Sequence, residues 1–344
     1  MKVLVDVCHP AHVHFFKNAI REWRAEGHGV HVTSRLKDVA VPLLDALGIA
    51  HEPLSGAKAG AGGLARELVS RDAAMIRTVR REKPDVLVAL GGTFAAHAGF
   101  ATRTPSVVFY DTECARLQNL ITYPLATRVV VPRCYAAWLP PWSERYAGYH
   151  ELAYLRPNRF TPDRAVALAN GLAASGDTFL VRCVSWQANH DIGERGWSAA
   201  TLRAVAAFLA QRGRVLISSE AELPPDLQPY RYAGAPAALH DVLAHCRLLV
   251  GESATLASEA AVLGVPAIYA AHTGRGYTDE QESRYGLVAN IRAITPEAIV
   301  AAMDRLLAES KDAIAARRQR LLDDTVDVVD VIKDVTARCA RPAR

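Results

Sequence analysis

The feature that most constrains the fold is a repeated alternation of short apolar runs with helical segments. The first half contains five β-branched runs of strand length, at residues 3–7, 30–33, 84–90, 106–110 and 128–131. A second series occurs at residues 178–183, 214–217, 248–251 and 266–270. Near-continuous apolar strands separated by helices indicate parallel sheets that are covered on both faces. The sequence therefore predicts an α/β fold with two Rossmann-like domains.

An irregular, Pro-rich stretch at 138–162, between the two series, marks the predicted domain boundary, and the glycine- and alanine-rich stretch at 56–63 is a predicted loop. We expect an N-terminal domain over 1–150, a linker over 151–176, a C-terminal domain over 177–323 and a terminal helix over 324–344. The run at 128–131 is predicted to be the last strand of the first domain. Ligands of such sheets bind at the carboxyl ends of strands. A cleft between the domains is therefore the expected site.

Composition narrows the classes of function. The chain has 344 residues, enough for two domains, and a formal net charge of only +4, which does not favour nucleic-acid binding. Its six cysteines show no Cys-x-x-Cys spacing, so we expect reduced thiols. The start of the chain does not resemble a signal peptide, and no apolar run is long enough to span a membrane. We expect a cytoplasmic protein, with peripheral membrane contact and a homodimer left open.

The strongest chemical signal is the segment from Gly251 to Pro266, which follows an apolar run and opens a helix. Small residues at the turn leave room for a phosphate, and the helix start offers free amides and a partial positive charge. A carboxylate at Glu259 is placed to accept hydrogen bonds from ribose hydroxyls. The alternative is a capped helix in which Ser253 or Thr255 is the N-cap and Glu259 is a solvated surface residue.

This segment resembles the donor-nucleotide motif of GT-B proteins. It is similar to that of the non-hydrolysing UDP-N-acetylglucosamine 2-epimerases and of the peptidoglycan N-acetylglucosaminyltransferase that makes lipid II. In those families a Ser-Gly-Gly or Ser-Gly-Ala turn holds the diphosphate, and a helix Glu holds the ribose. Ser253 matches the turn serine and Glu259 the ribose Glu, whereas Ala254 and Thr255 stand where those families have glycine. The resemblance implies a nucleotide-sugar site that includes Glu252, Ser253, Ala254, Thr255 and Glu259.

Over nearly its whole length, the chain resembles an uncharacterised prokaryotic family that is related to these epimerases and transferases. The residues that carry this resemblance lie at 6–16, 111–113, 157–162 and 185–191. The resemblance implies a GT-B fold with two facing domains and an inter-domain cleft. It is specific for a family and not for a reaction.

Polar residues after strands of the first half are candidates for proton transfer. His12 and His14 follow the first strand, where GT-B proteins commonly contact the acceptor or carry a catalytic base. Capping and surface polarity remain the alternative for both, and a metal site is not favoured because no carboxylate lies nearby in sequence. Asp111 and Glu113 follow the strand at 106–110 and are also candidate acid–base groups.

A polar loop at 185–193 follows the first strand of the second half, and it resembles in position a diphosphate-binding loop of the 2-epimerases. His190 is a candidate to donate to a phosphate oxygen or to protonate the leaving group. The alternative is that His190 and Asp191 bind each other and cap the next element. Together with the turn residues, we predict nucleotide-sugar contacts from Arg182, Ser185, Asn189, Asp191, Ser219, Glu220 and Gly234.

Three functions are compatible with these residues. The favoured one is a metal-independent glycosyltransferase that uses a UDP-type donor, an unknown acceptor and no cofactor. A nucleotide-sugar 2-epimerase is the second, because the Asp111 and Glu113 pair could move a proton at C2 of the sugar. A non-catalytic nucleotide-sugar-binding protein is the third.

Overall fold

A computed structural model of the chain describes residues 1–36, 40–56, 61–184 and 196–342. The chain divides into two compact units. The first unit comprises residues 1–154 and 326–344, and the second comprises residues 155–325.

The first unit is built on a parallel sheet of seven strands in the order β3-β2-β1-β4-β5-β6-β7. The strands are β1 (Lys2–Val7), β2 (Gly29–Leu36), β3 (Glu52–Gly56), β4 (Val86–Leu90), β5 (Ser106–Phe109), β6 (Arg128–Pro132) and β7 (Ser143–Tyr146). The central strands are buried on both faces, as their continuous apolar sequences require. The connecting helices are α1 (Pro10–Ala25), α2 (Ala40–Ala46), α3 (Ala61–Glu82), α4 (Thr93–Thr102) and α5 (Arg116–Thr122), and α6 (Leu152–Leu155) follows β7.

The second unit contains a five-stranded parallel sheet in the order β12-β11-β10-β8-β9. Its strands are β8 (Asp177–Cys183), β9 (Gly213–Ser219), β10 (Leu248–Gly251), β11 (Ala267–Ala270) and β12 (Val288–Ile291). Its helices are α7 (Arg164–Ala169), α8 (Ala199–Ala210), α9 (Leu239–Ala244), α10 (Ala254–Leu263), α11 (Gly276–Ser283), α12 (Pro296–Leu307) and α13 (Lys311–Asp323). Side chains of β8–β12, α8 and α12 form one buried apolar cluster on a face of this sheet.

The chain ends by returning to the first unit. Helix α14 (Val328–Cys339) buries Val328, Val329 and Ile332 there. Its Lys333 forms ion pairs with Glu22 of α1, at 2.8 Å, and with Glu26, directly after that helix. The terminal helix is therefore part of the N-terminal unit, although it lies at the other end of the sequence.

The structure corrects three local predictions. The run at 128–131 is not the last strand of the first unit, because β7 pairs with it in parallel register. Strand β7 was overlooked because Ser143, Glu144 and Arg145 are polar, and only Tyr146 of this strand is buried. The glycine- and alanine-rich stretch at 56–63 is not entirely a loop, because α3 begins at Ala61. The Pro-rich stretch at 138–162 contains β7 and α6.

Each sheet has one point where successive connections leave in opposite directions. In the first unit this point lies between β1 and β4, and in the second it lies between β8 and β10. Loops diverge at such points and leave a crevice at the carboxyl edge, where ligands of parallel sheets bind. The predicted polar residues after β1 and β10 lie at these two positions.

Candidate functional site

In the second unit, the switch point is shaped by a close approach of β10 to β8. Gly251 ends β10 opposite Arg182, and a Cβ at Gly251 would come within 2.9 Å of the Arg182 Cβ and closer still to its carbonyl oxygen. Only glycine therefore fits at this position. The backbone then turns through Glu252 into α10, so that the N-terminus of this helix lies at the crevice.

The N-terminus of α10 has the properties of an anion site. Ser253 is the N-cap, and its hydroxyl oxygen accepts a hydrogen bond from the Leu256 amide at 3.2 Å. The amides of Ala254 and Thr255, at the first two helical positions, have no acceptor within the helix. These amides and the helix dipole favour a phosphate or another anion. The capping interpretation of Ser253 is confirmed, and capping leaves these two donors available.

Glu259 lies on the same helix and is not a solvated surface residue. It is 6% exposed, and its Oε1 lies 3.1 Å from Nε2 of His240 on α9. His240 is itself buried, and its ring packs edge-on against the Phe160 ring, with the ring centroids 6.2 Å apart. The structure therefore excludes the alternative in which Glu259 faces open solvent. Sequence reasoning did not select His240, which precedes Glu259 by nearly twenty positions on a different helix.

The carboxylate of Glu252, a residue predicted to bind the nucleotide sugar, binds backbone amides of the second unit. Glu252 is 3% exposed, and its carboxylate accepts hydrogen bonds from the amides of Trp197, at 2.6 Å, and Val184, at 3.2 Å. These amides flank the stretch from 185 to 195. The predicted residues Ser185, Asn189, His190 and Asp191 all lie in that stretch, outside the described residues.

Arg182 is positioned by β9. Its guanidinium donates to the hydroxyl of Ser218 at 2.9 Å and to Glu220 Oε1 at 2.5 Å. The Arg182 and Glu220 side chains are 23% and 44% exposed, so the pair stays in contact with solvent. The neighbouring Ser219 does not bind Arg182 through its hydroxyl, which donates to the carbonyl of Ala221 at 2.8 Å.

Gly234 lies in a segment that runs beside the end of β9. The segment is tied to the sheet by a hydrogen bond from the Tyr232 amide to the Ile217 carbonyl at 2.9 Å. A Cβ at Gly234 would come within 2.7 Å of the Tyr232 ring and of the Asn170 carbonyl oxygen. The glycine is therefore explained by packing within the second unit.

In the first unit, His12 is held at the end of β1. Its Nδ1 accepts a hydrogen bond from the Cys8 amide at 3.3 Å. Burial, reinforced by the charge of His9, lowers the pKa of His12 from 6.5 to about 3, and the charge of Asp111 opposes this shift only partly. The ring is therefore neutral at physiological pH. Because Nδ1 accepts, the proton is assigned to Nε2, which is a hydrogen-bond donor in this orientation.

Asp111 contacts a buried histidine that the sequence analysis did not anticipate. Its Oδ2 lies 3.0 Å from Nδ1 of His150, and its Oδ1 accepts from the Thr112 hydroxyl at 2.9 Å. His150 is 5% exposed and packs against Phe15 with ring centroids 4.6 Å apart. Its Nε2 has no hydrogen-bond partner within the part of the chain that the structure describes. The only sequence signal for His150 was its position shortly after β7, a strand that was itself overlooked.

Glu113 and His14 have different surroundings from Asp111. Glu113 Oε1 accepts a long hydrogen bond from the Ala136 amide at 3.4 Å. Its charge also adds to the burial that raises the pKa of Tyr123 and Tyr135, whose hydroxyls are hydrogen-bonded at 2.8 Å. His14 stacks on Tyr154 with ring centroids 5.2 Å apart. The hydrogen bonds described for Asp111 and Glu113 involve different residues, although both charges add to the burial that raises the pKa of Tyr135.

A buried charge network supports the loop after β1. Arg71 of α3 is fully buried and donates to Asp6 Oδ1 at 2.6 Å, and the Thr33 hydroxyl donates to the same oxygen at 2.8 Å. The Cys8 thiol contacts Asp6 Oδ2 at 3.4 Å, and burial, with the adjacent Asp6 charge, raises its pKa. This thiol is therefore protonated and part of the scaffold that positions His12.

The described residues also bear on metal binding and on membrane spanning. Among residues 1–36, 40–56, 61–184 and 196–342, no group of three or more His, Cys, Asp or Glu side chains is placed to bind a metal ion. Within the same ranges, none of the helices has the length and apolar character needed to cross a bilayer.

One family model matches the first part of the chain. Residues 1–141 match the model of a family described as a protein of unknown function, DUF354. No curated protein matches the chain in sequence.

Solved structures match the fold over almost the whole length. UDP-GlcNAc 2-epimerase from Neisseria meningitidis, bound to UDP-GlcNAc, has a TM-score of 0.67 and 11% identity and covers 98% of this chain and 100% of its own. The calicheamicin glycosyltransferase CalG4 has a TM-score of 0.61 and 17% identity, with 100% and 99% coverage. The spinosyn rhamnosyltransferase SpnG complexed with thymidine diphosphate has a TM-score of 0.63 and 16% identity, with 97% and 100% coverage. The predicted fold is confirmed: the chain has two α/β units with parallel sheets and the fold of GT-B proteins, and its residues 1–141 match the model of the DUF354 family.

Proposed function

We propose that this protein is a glycosyltransferase that uses a UDP-type nucleotide sugar as donor. The observation that carries the proposal is the arrangement on α10, where free amides at the helix start are followed by the buried carboxylate of Glu259. An anion site and a hydroxyl-binding carboxylate on one helix suit a ligand in which a diphosphate is joined to a ribose.

The donor diphosphate would be bound by the amides of Ala254 and Thr255, with Arg182 contributing positive charge. Negative charge grows on this group as it leaves the sugar, and fixed donors stabilise it at that moment. The ribose hydroxyls would donate to Glu259, which His240 holds in place. Two neighbours of this fold carry nucleotides in their structures, UDP-GlcNAc in one and thymidine diphosphate in the other.

The first unit would supply the base for the acceptor. In the proposed step, the acceptor hydroxyl gives its proton to the Asp111–His150 pair, and its oxygen bonds to the anomeric carbon. The bond from that carbon to the diphosphate breaks, and the electron pair leaves with the nucleotide. His12, which is neutral and donates from Nε2, would orient the acceptor oxygen rather than take its proton. The step needs no cofactor or metal, so chelation should leave the rate unchanged.

A nucleotide-sugar 2-epimerase is the second candidate, favoured by the close likeness of fold to the Neisseria enzyme. Moving a proton at C2 requires two acid–base side chains of the protein, one on each side of the sugar. The different contacts of Asp111 and Glu113 give this candidate less support than the single Asp111–His150 pair gives a transferase.

The test is incubation with UDP-GlcNAc and no acceptor, followed by proton NMR. The proposal predicts slow hydrolysis to UDP and no inversion at C2. Asp111→Asn should reduce the rate of UDP release by about 100-fold or more, with little effect on UDP affinity. The control is Glu144→Gln, which replaces a carboxylate of β7 outside the site and should leave the rate of UDP release unchanged. Inversion at C2 would establish the second candidate. Binding with no reaction, with or without a panel of acceptors, would leave only a binding protein.

A further inference from the structure

His97 of α4 contacts two other helices of the first unit. Its Nδ1 lies 2.8 Å from Oδ2 of Asp72 on α3, and its Nε2 lies 3.1 Å from the carbonyl oxygen of Ile121 on α5. The side chains of His97 and Asp72 are 18% and 21% exposed, so the ring is mostly shielded from water. One imidazole ring therefore links α3, α4 and α5.

The two oxygens that the ring faces determine its charge. A carboxylate oxygen and a carbonyl oxygen are both acceptors, whereas a neutral imidazole has only one N–H donor. With Asp72 ionised, both contacts are hydrogen bonds only when each ring nitrogen carries a proton. His97 is therefore an imidazolium cation in this arrangement.

Both partners favour that cation. Ile121 is the next-to-last residue of α5, where carbonyl groups lack a donor within the helix and the helix dipole attracts positive charge. The Oδ1 atom of Asp72 is buried and has no hydrogen-bond partner in the described part of the chain. The hydrogen bond to Asp72, the Asp72 charge and the Ile121 carbonyl raise the pKa of His97 above 6.5, against the opposing effect of burial.

Other charged side chains described near these helices have different positions or partners. Arg71 of α3 donates into the charge network under the β1 loop. Arg341 donates to backbone carbonyls at the C-terminal end of α4, and Arg116 is exposed at the start of α5. Among the described residues, Asp72 is therefore the titratable group that acts on His97.

Two further hydrogen bonds attach α5 and do not titrate. The hydroxyls of Thr93 and Thr122 are 2.9 Å apart, and the Gln118 side chain donates to the Gly91 carbonyl at 2.8 Å. Because these bonds persist when His97 loses its proton, loss of the His97 contact should loosen α5 without detaching it.

We infer that His97 is a pH-dependent switch, whose imidazolium holds the C-terminal end of α5 against α4 and whose deprotonation lets that end open. A neutral ring has one donor, so one of the two acceptor oxygens then faces a bare ring nitrogen. The contact is complete below pH 6.5 and is lost as pH rises through the raised pKa of His97. The turn at 111–115 leads directly into α5, so the switch also controls how firmly this turn is held.

The test combines NMR titration of the His97 ring with hydrogen exchange of the full chain, measured by mass spectrometry over a pH series. Rates are corrected for the intrinsic pH dependence of amide exchange. Peptides from α5 should exchange about tenfold faster once the proton is lost, because a hydrogen bond to a charged group disappears. The midpoint of this change should equal the His97 pKa found by NMR, and peptides from α1 should keep their protection.

Three variants make the test specific. Asp72→Asn keeps an acceptor for Nδ1 but removes the charge, so it should move the midpoint to lower pH. His97→Gln should abolish the pH dependence of α5 exchange. The matched control is His28→Gln, since His28 lies 3.8 Å from the Glu26 carboxylate in the same unit but outside the three helices, and it should leave the midpoint in place.

The inference would be overturned by corrected α5 exchange that does not change with pH, or by a midpoint that Asp72→Asn does not move. An equal loss of protection in α1 and α5 would also overturn it, because that result would report the stability of the whole unit. None of these outcomes depends on the proposed reaction.

Discussion

Replacing Arg71 by methionine tests whether the charge network under the β1 loop stabilises the first unit. Arg71 is fully buried, and it donates to Asp6, which is 2% exposed, and to the carbonyl of Ser34 at 3.1 Å. Its guanidinium also lies over the Phe94 ring, 4.9 Å from the centroid. Methionine can replace the apolar stem, but it leaves the Asp6 carboxylate buried without its cation.

The expected cost follows from that uncompensated charge. Removing one partner of a buried ion pair destabilises a protein by about 3–5 kcal/mol. The Thr33 hydroxyl still donates to Asp6 in the variant, so we expect a value near the lower end of this range. The double variant Asp6→Asn/Arg71→Met removes both charges and should recover about 2 kcal/mol relative to Arg71→Met.

The assay is urea unfolding monitored by circular dichroism, with Arg77→Met as the control. Arg77 is exposed on the same helix, and its replacement should change the free energy of unfolding by no more than about 0.5 kcal/mol. If Arg71→Met were as stable as Arg77→Met, or the double variant less stable than Arg71→Met, the proposed role of the network would be refuted.

Three further changes have expected outcomes. The hydrogen bond from His97 to Asp72 raises the His97 pKa above 6.5, so the pair stabilises the protein below pH 6.5 and this contribution is lost as pH rises through the raised pKa. His97→Gln should flatten that decline in a series of thermal melts, and an unchanged pH profile would contradict it. Gly251→Ala should destabilise the protein by about 2 kcal/mol in urea, because its Cβ would overlap Arg182; a stable variant would disprove the close approach. Ser253→Ala should cost about 1 kcal/mol in the same assay through loss of the N-cap, and no change would exclude that cap.

The interior of both sheets could be predicted from sequence because buried parallel strands are continuous apolar runs. Strands β1, β4, β8 and β10 were recognised on that basis. The strands that were overlooked, β3, β7 and β12, are all edges of their sheets. Strands β3 and β7 carry polar residues, so they lack the apolar signal on which the prediction depended. Strand β12 is short, with four residues, whereas the apolar edge strand β9 was recognised.

The candidate site could be predicted only where its parts are adjacent in sequence. The turn and helix that carry Ser253 and Glu259 form one continuous segment, and their placement after a buried strand indicated the anion site. His150, His240 and Arg71 were not identified, because their partners Asp111, Glu259 and Asp6 lie far from them along the chain. Glu252 was assigned to the ligand because nothing in the sequence indicated that its carboxylate binds the amides of Val184 and Trp197.

The most direct test of the account is the affinity for UDP measured by isothermal titration calorimetry. The unaltered chain should bind UDP, and Glu259→Gln should weaken binding by about 10- to 100-fold through loss of charged hydrogen bonds to the ribose. Glu297→Gln, at an exposed glutamate of α12 in the same unit, should bind like the unaltered chain. Equal affinity of Glu259→Gln and Glu297→Gln, or no affinity of the unaltered chain for any nucleoside diphosphate, would contradict the assignment of α10 as the donor site.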